Sequence, residues 1–145
     1  MKGIGSDLID IRRIDKTIAR FGDRFKKRIF TDNEIKKCEK RKQSVPCYAK
    51  RFAAKEAAAK ALGTGFRKGV YWRDIEIVNE PSGKPTLEFH GKSKSHLLNL
   101  VLDNDYTINL SITDEFPYAQ AIVTLSLIHI SSPRDNKASR MPSSA

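Results

Sequence analysis

No apolar run in this sequence approaches the roughly 20 residues that a membrane-spanning helix needs. The opening stretch, MKGIGSDLIDIRR, carries acidic residues where a secretory leader requires an uninterrupted apolar segment. Both absences point to a soluble, cytoplasmic protein with no membrane partner. Cysteine is scarce: Cys38 and Cys47 stand too far apart for a CxxC motif; they could form one disulfide, but nothing in the sequence favours it, and two reduced thiols are expected. His90, His96 and His129 lack zinc-ligand spacing. There is no P-loop, no nucleophile elbow and no RNA-binding aromatic motif. Acidic residues are the minority, 17 Asp+Glu against 27 Lys+Arg, which leaves a formal charge of +10. That excess favours an anionic partner: nucleic acid, a phosphorylated ligand, an anionic membrane or an acidic protein. A merely solvated basic face is the plain alternative.

What is present fits one domain, since 145 residues can bury a core without staples. KGIGSDLIDI reads as a short strand running to Asp7. Ile11, Ile14, Ile18 and Phe21 recur at helical spacing, with Arg12, Arg13, Lys16 and Arg20 on the other face. TDNE, residues 31–34, has the spacing of a capping box ahead of a second helix. Residues 43–46 look like a break, followed by a long helix over 47–62 that stops at Gly63. Then the period shortens. VYWRDIEIVN and TLEFHG read as a hairpin around EPSGKP, where Gly83 can take a positive φ. Residues 92–102 read as a helix, DND as a turn, and YTINLSIT and YAQAIVTL as the last two strands. Early helices and late antiparallel strands predict an α+β domain, residues 1–126, with an antiparallel sheet packed against a long helix. Residues 127–145 lose the alternation, become rich in Ser, Pro and Arg, and are expected to be disordered or non-native.

Three places could carry chemistry. On the long helix, Phe52, Glu56, Ala59, Lys60 and Gly63 share one side. Glu56 and Lys60 form a favourable i,i+4 pair, which by itself reads as helix stabilisation. The surrounding alanines argue for a packed face, however, and a carboxylate near such a face needs a partner such as a metal ion. Asp7, with Asp10 nearby, ends the first strand; it reads either as a site residue or as a helix-capping acid ahead of Ile11. Two carboxylates on separate elements could share one Mg²⁺. The loops GTG (63–65) and SGKP (82–85) admit close backbone approach to phosphate, and Lys84 adds a cation, although a helix C-cap and a hairpin turn explain each loop as well. Trp72 and Tyr71 could stack on a base but read more simply as packing residues.

Four segments occur together in an order and spacing that resemble bacterial holo-[acyl-carrier-protein] synthase, the small phosphopantetheinyl transferase type. They are GIGSDLIDIRRI (3–14), RFAAKEAAAKALGTG (51–65), DIEIVNEPSGKP (74–85) and LSITDEFPYAQAIV (110–123). The resemblance covers about residues 1–125 and implies a phosphopantetheinyl transferase-like fold. It also implies an Mg²⁺-dependent enzyme of fatty acid biosynthesis. Such an enzyme moves the phosphopantetheine arm of coenzyme A to a serine of apo acyl carrier protein and releases adenosine 3',5'-bisphosphate. On this resemblance Asp7 and Glu56 are the metal ligands, and Glu56 and Lys60 the catalytic pair. The serine proton goes either to a metal-held water or to a carboxylate such as Glu56. Lys60, Gly63, Thr64, Gly65, Gly83, Lys84 and Pro85 contact coenzyme A. Arg13, with Arg20 and Arg24 in the same basic stretch, docks the acidic carrier, and the protein is a homotrimer. One departure is Asp114, where many members have histidine. Two other readings stand beside this one: a non-catalytic binder of coenzyme A or carrier protein, and a small basic nucleic-acid-binding domain. The second leaves SDLID and Glu56 unexplained, so no nucleic-acid partner is expected.

Overall fold

A computed structural model describes residues 1–102 and 105–128 of the chain. Part of the DND turn, His129 and nearly all of the segment expected to be disordered lie outside the described residues. The order of elements is β1 (Gly3–Asp10), α1 (Ile11–Phe21), α2 (Asp23–Ile29), α3 (Asp32–Glu39), α4 (Ser44–Leu62), β2 (Ile75–Asn79), β3 (Pro85–Phe89), α5 (Gly91–Val101), β4 (Tyr106–Glu115) and β5 (Tyr118–Leu127), with a 3-10 turn at Trp72–Asp74 before β2. This is the expected α+β architecture. One antiparallel sheet has the order β1-β5-β4, and β2 and β3 form a separate hairpin. No helix among the described residues is long and apolar enough to cross a membrane.

Helix α4 is the centre of the molecule. Its alanines at 49, 53, 54, 57, 58, 59 and 61 are all buried, so it is covered on nearly every side, beyond the single packed face that the sequence implied. It begins at Ser44, three residues earlier than expected, because Pro46 falls in its first turn, where no intrahelical N–H bond is required. Gly63 ends it in the left-handed region at φ 82°. The capping box at Thr31 and Glu34 forms as expected. Helix α2 was not anticipated; seven residues with only Phe25 and Ile29 as apolar positions give too little periodicity to read.

The glycines of β1 position the strand. A Cβ at Gly3 would lie 2.2 Å from the Ala61 carbonyl oxygen, and one at Gly5 only 2.0 Å from that of Ala57. The strand therefore rests directly on the backbone of α4, an approach open to glycine alone. On β5, Ala119 and Ala121 face the same helix and are buried. Strand β1 continues past Asp7 to Asp10, pairing with β5 from Gly3↔Leu125 to Asp10↔Tyr118. Leu127, expected to begin the tail, is still within β5, opposite Tyr106.

The two cysteines are joined. Cys38 at the end of α3 and Cys47 in the first turn of α4 form a disulfide with Cα atoms 5.4 Å apart, correcting the expectation of two free thiols. The packing of α3 along α4 sets that distance, and the spacing in the chain does not show it.

Candidate functional site

Asp7 and Asp10 divide the roles that the sequence left open. Asp10 is the N-cap of α1: its side chain accepts from Arg12 N at 2.9 Å and pairs with the Arg12 guanidinium. The hydrogen bond from the Arg12 side chain holds its carboxyl down near 2. Asp7 takes no part in the cap. Its Oδ1 accepts from Lys60 Nζ at 3.1 Å, and the same ammonium donates to the Ser6 carbonyl at 3.1 Å. The close seat of β1 on α4 brings the strand's carboxylate to the helix's lysine.

Glu56 stands one helical turn before Lys60 and is half-buried. Burial raises its carboxyl above the ordinary glutamate value of 4.5, the negative charge of Asp7 raises it further, and Lys60 and Arg13 pull it back. Asp7, Glu56, Lys60 and Arg13 are thus near enough to act electrostatically on one carboxyl. The structure brings these four together from β1, α1 and α4.

A second feature escaped the sequence. A pocket of about 390 Å³ is lined by Arg41, Lys42, Lys50, Arg51, Cys47 and Asp114, among others. Arg51 is buried in its wall, at 6% exposure, and its Nε has no hydrogen-bond partner. Four cations against one carboxylate, with a buried guanidinium N–H left without a partner, make this pocket strongly basic and chemically suited to an anion. Asp114 is held here by Lys50, whose Nζ lies 3.6 Å away. The register relates the pocket to the first cluster: Asp7 is opposite Ala121 and Asp114 opposite Ala119. The two acids therefore project towards α4 from adjacent rows on the two outer strands, roughly 7 Å apart along β5 and about 10 Å apart across it. The signal available in the sequence was the run of basic residues from 36 to 42; its convergence with Arg51 and Asp114 was not readable.

The glycine loops are placed differently from one another. Gly63, Thr64 and Gly65 follow Lys60 directly, with Gly65 N donating to Ala59 O at 3.1 Å. Trp72 stacks between Phe52, at 4.7 Å between ring centroids, and Phe66, at 3.7 Å, and holds the loop beyond them onto α4. Trp72 is thus a packing residue, as expected, whereas Tyr71, expected to pack with it, is exposed. Gly83, Lys84 and Pro85 lie at the tip of the β2–β3 hairpin, where Gly83 adopts φ 92°. Asn79 below this tip is hydrogen-bonded to Lys37 of α3. Among the described residues, no hydrogen bond or ion pair joins the tip to Asp7, Glu56 or Lys60.

Lys55, beside Glu56 in sequence, is fully buried. It pairs with buried Glu34 at 2.8 Å and donates to the carbonyls of Trp72 and Ile75. Glu34 also accepts from Ile77 N at 2.8 Å. This pair fastens α3, α4 and β2 together. Glu76, Glu88 and His90 form another cluster across the hairpin, with ligand-type atoms within 4.8 Å of one another. Glu76 already accepts from Thr31 and Asn33 and meets His90 at 3.2 Å, so the cluster anchors the hairpin on α3.

The early helices present a basic surface with an aromatic centre. The Arg20 and Arg24 guanidinium groups lie 5.1 and 5.9 Å from the centroid of exposed Phe21. Thr17, Phe21, Arg24, Phe25 and Arg28 line a groove of about 200 Å³.

An α+β domain with two carboxylates and a lysine beside an anion pocket has the equipment of an enzyme that handles phosphorylated ligands. A family model described as the 4'-phosphopantetheinyl transferase superfamily matches residues 3–116, and the chain belongs to that superfamily. It is 54% identical over 129 residues to the holo-[acyl-carrier-protein] synthase of Methylorubrum extorquens, a match spanning 88% of this chain and 95% of that protein. Its fold is similar to the crystal structure of holo-[acyl-carrier-protein] synthase from Neisseria meningitidis, with TM-score 0.74 and 37% identity over 87% of this chain and 98% of the other. It is also similar to a holo-(acyl-carrier-protein) synthase from Bacillus anthracis str. Ames in complex with CoA (3',5'-ADP), with TM-score 0.69 and 36% identity over 87% of this chain and 96% of the other.

Proposed function

We propose that this chain transfers the 4'-phosphopantetheine arm of coenzyme A to a serine of an apo acyl carrier protein. The serine Oγ attacks the β-phosphorus, the bond from that phosphorus to the oxygen of the departing adenosine 3',5'-bisphosphate breaks, and the serine proton passes to a base. The observation that carries this reading is the contact of Lys60 with Asp7, with Glu56 one turn away and within reach of the charge of Asp7. Such a transfer depends on positioning and charge neutralisation more than on covalent catalysis.

Asp7 and Glu56 would hold Mg²⁺. The donor set fits a hard cation: two carboxylates, from a strand and a helix, close enough that one disfavours ionisation of the other. When bound, the ion supplies charge neutralisation at the pyrophosphate. Lys60 balances the charge that develops on the leaving phosphate. Glu56 is the carboxylate proposed to take the serine proton. The basic pocket around Arg51 takes the negative groups of the coenzyme's nucleotide end. Gly63, Thr64 and Gly65, with Gly83, Lys84 and Pro85, complete the coenzyme contacts. A Cβ added at any of the three glycines would meet nothing within 4 Å, so both loops are open to a ligand.

Arg13, Arg20 and Arg24 dock the acidic carrier, with Phe21 and Phe25 as the apolar centre of that surface. The protein works as a homotrimer in the cytoplasm. The face of the sheet turned away from α4 exposes Ile4 (59%), Leu8 (61%) and Ile122 (40%), an apolar surface suited to a second copy. The separation of the hairpin tip from Lys60 within one chain fits a site completed between subunits.

The test is a transfer assay. The protein, coenzyme A, Mg²⁺ and apo carrier are incubated, and the carrier is weighed by mass spectrometry. A gain of one phosphopantetheine that disappears with a chelator is the expected result. No gain from folded protein refutes the enzyme reading, and coenzyme A binding without transfer would leave the non-catalytic binder.

A further inference from the structure

The Cys38–Cys47 disulfide lies at the basic pocket. Cys47 is one of the lining residues, and Arg51 Nη1 donates to its Sγ at 3.0 Å and to its carbonyl at 3.4 Å. The bond closes a loop with a sequence separation of nine residues, and two of the pocket's cations, Arg41 and Lys42, lie inside that loop. Residues 40–43 are exposed, and none of their side chains makes a hydrogen bond or ion pair among the described residues. Arg41 N donates to Cys38 O at 3.0 Å. Thus the disulfide, together with the packing of α3 on α4 and the Tyr48 OH–Glu39 hydrogen bond, holds these two cations at the pocket. Disulfides in reducing compartments are more often redox-sensing or catalytic than structural.

We propose that the Cys38–Cys47 pair is a thiol–disulfide exchange site that sets the pocket's affinity for the coenzyme's phosphate groups, tight when the pair is oxidised and weaker when it is reduced. This rests on the reading of the pocket as the seat of the coenzyme's nucleotide end. The reductant is a low-molecular-weight thiol. Its thiolate attacks Cys47 Sγ from the pocket, the S–S electron pair leaves on Cys38, and Cys38 takes a proton. A second thiol attacks the mixed disulfide and releases Cys47 as a thiolate. Two thiols become one small disulfide, and the protein disulfide becomes two thiols. A low-molecular-weight disulfide reverses the sequence.

Reduction acts on the pocket in two ways. It removes one of the ties on the segment that carries Arg41 and Lys42, leaving the Tyr48 OH–Glu39 hydrogen bond. It also leaves a sulfur beside Arg51 Nη1, which the guanidinium stabilises as thiolate. A negative sulfur then competes with phosphate for the buried arginine. Both changes weaken anion binding, and neither alters Asp7, Glu56 or Lys60.

The experiment compares the full chain, oxidised with a small disulfide or reduced with a dithiol, the state being verified by counting alkylated cysteines by mass. Coenzyme A affinity is measured by calorimetry, and transfer to apo carrier is measured in parallel. Reduction is expected to weaken coenzyme A binding about tenfold, comparable to losing one charge-assisted contact. At saturating coenzyme A the transfer rate stays the same. Cys38→Ser should match the reduced protein and ignore the reductant; if it does not fold, the two states of the unaltered chain decide the question. Equal affinity in both states, or failure of the pair to oxidise, overturns the inference while transfer still supports the functional reading. If neither state binds coenzyme A nor transfers the arm, both readings fall.

Discussion

Glu56 shows how a single side chain can change meaning with its surroundings. With Lys60 alone it is an i,i+4 ion pair on a helix. In the folded chain it is half-buried, Lys60 is hydrogen-bonded to Asp7 at 3.1 Å, and both burial and the charge of Asp7 raise the Glu56 carboxyl. A base must be deprotonated to act, so transfer should rise with pH through the ionisation of Glu56; Mg²⁺ held by the same carboxylate would favour its ionised form, so this acid limb should move to lower pH as Mg²⁺ is raised. Glu56→Gln should remove that limb and lower turnover by about 10²- to 10⁴-fold. Asp7→Asn should cause a loss of similar size, with melting temperatures near that of the parent. An acid limb that persists in Glu56→Gln would assign the proton to another acceptor. Lys55 makes the opposite point: adjacent to Glu56 in sequence, it is turned into the core and serves Glu34 and two carbonyls.

Among the elements, the contact of β1 with α4 builds the site. Gly5→Ala would place a methyl group 2.0 Å from a backbone carbonyl, which no rotamer change can relieve. It should cost about 1–3 kcal/mol in chemical denaturation and also reduce transfer, since Asp7 moves with the strand. A full-activity, full-stability Gly5→Ala protein would mean that the close seat is unnecessary. Arg20 on α1 and Arg24 on α2 are the proposed carrier contacts. Arg20→Glu and Arg24→Glu should raise KM for the carrier and reduce its dependence on salt, while leaving kcat at saturating carrier unchanged. A fall in kcat alone would remove these arginines from the docking surface.

For the molecule as a whole, the exposed apolar face of the β1-β5-β4 sheet is the feature that one chain leaves without cover. Light scattering should report three chains, and Leu8→Arg should shift the mass towards one. A monomeric parent protein would refute the trimer. A chain ending at residue 128, which keeps all of β5 and the Ile128 N–Asp105 O bond, should transfer as well as the full chain or better. A large loss would make residues 129–145 part of the working protein.

Local pattern was enough for much of this protein. The period of Ile11, Ile14 and Ile18 specified α1; Thr31 with Glu34 specified the start of α3; Gly63 specified the end of α4; and Gly83 specified the hairpin turn. Asp7, Glu56 and Lys60 could be singled out because their motifs are contiguous. The remainder depended on contacts between segments far apart in the chain. The disulfide follows from how α3 lies along α4. The buried pair of Glu34 and Lys55 joins three elements. The anion pocket needs Arg41 and Lys42 from a loop, Arg51 from a helix and Asp114 from a strand. Short-range periodicity specifies an element through the chain's own backbone geometry. Which elements touch depends on close approaches such as Gly5 against Ala57, whose significance arises only when the two backbones are packed together.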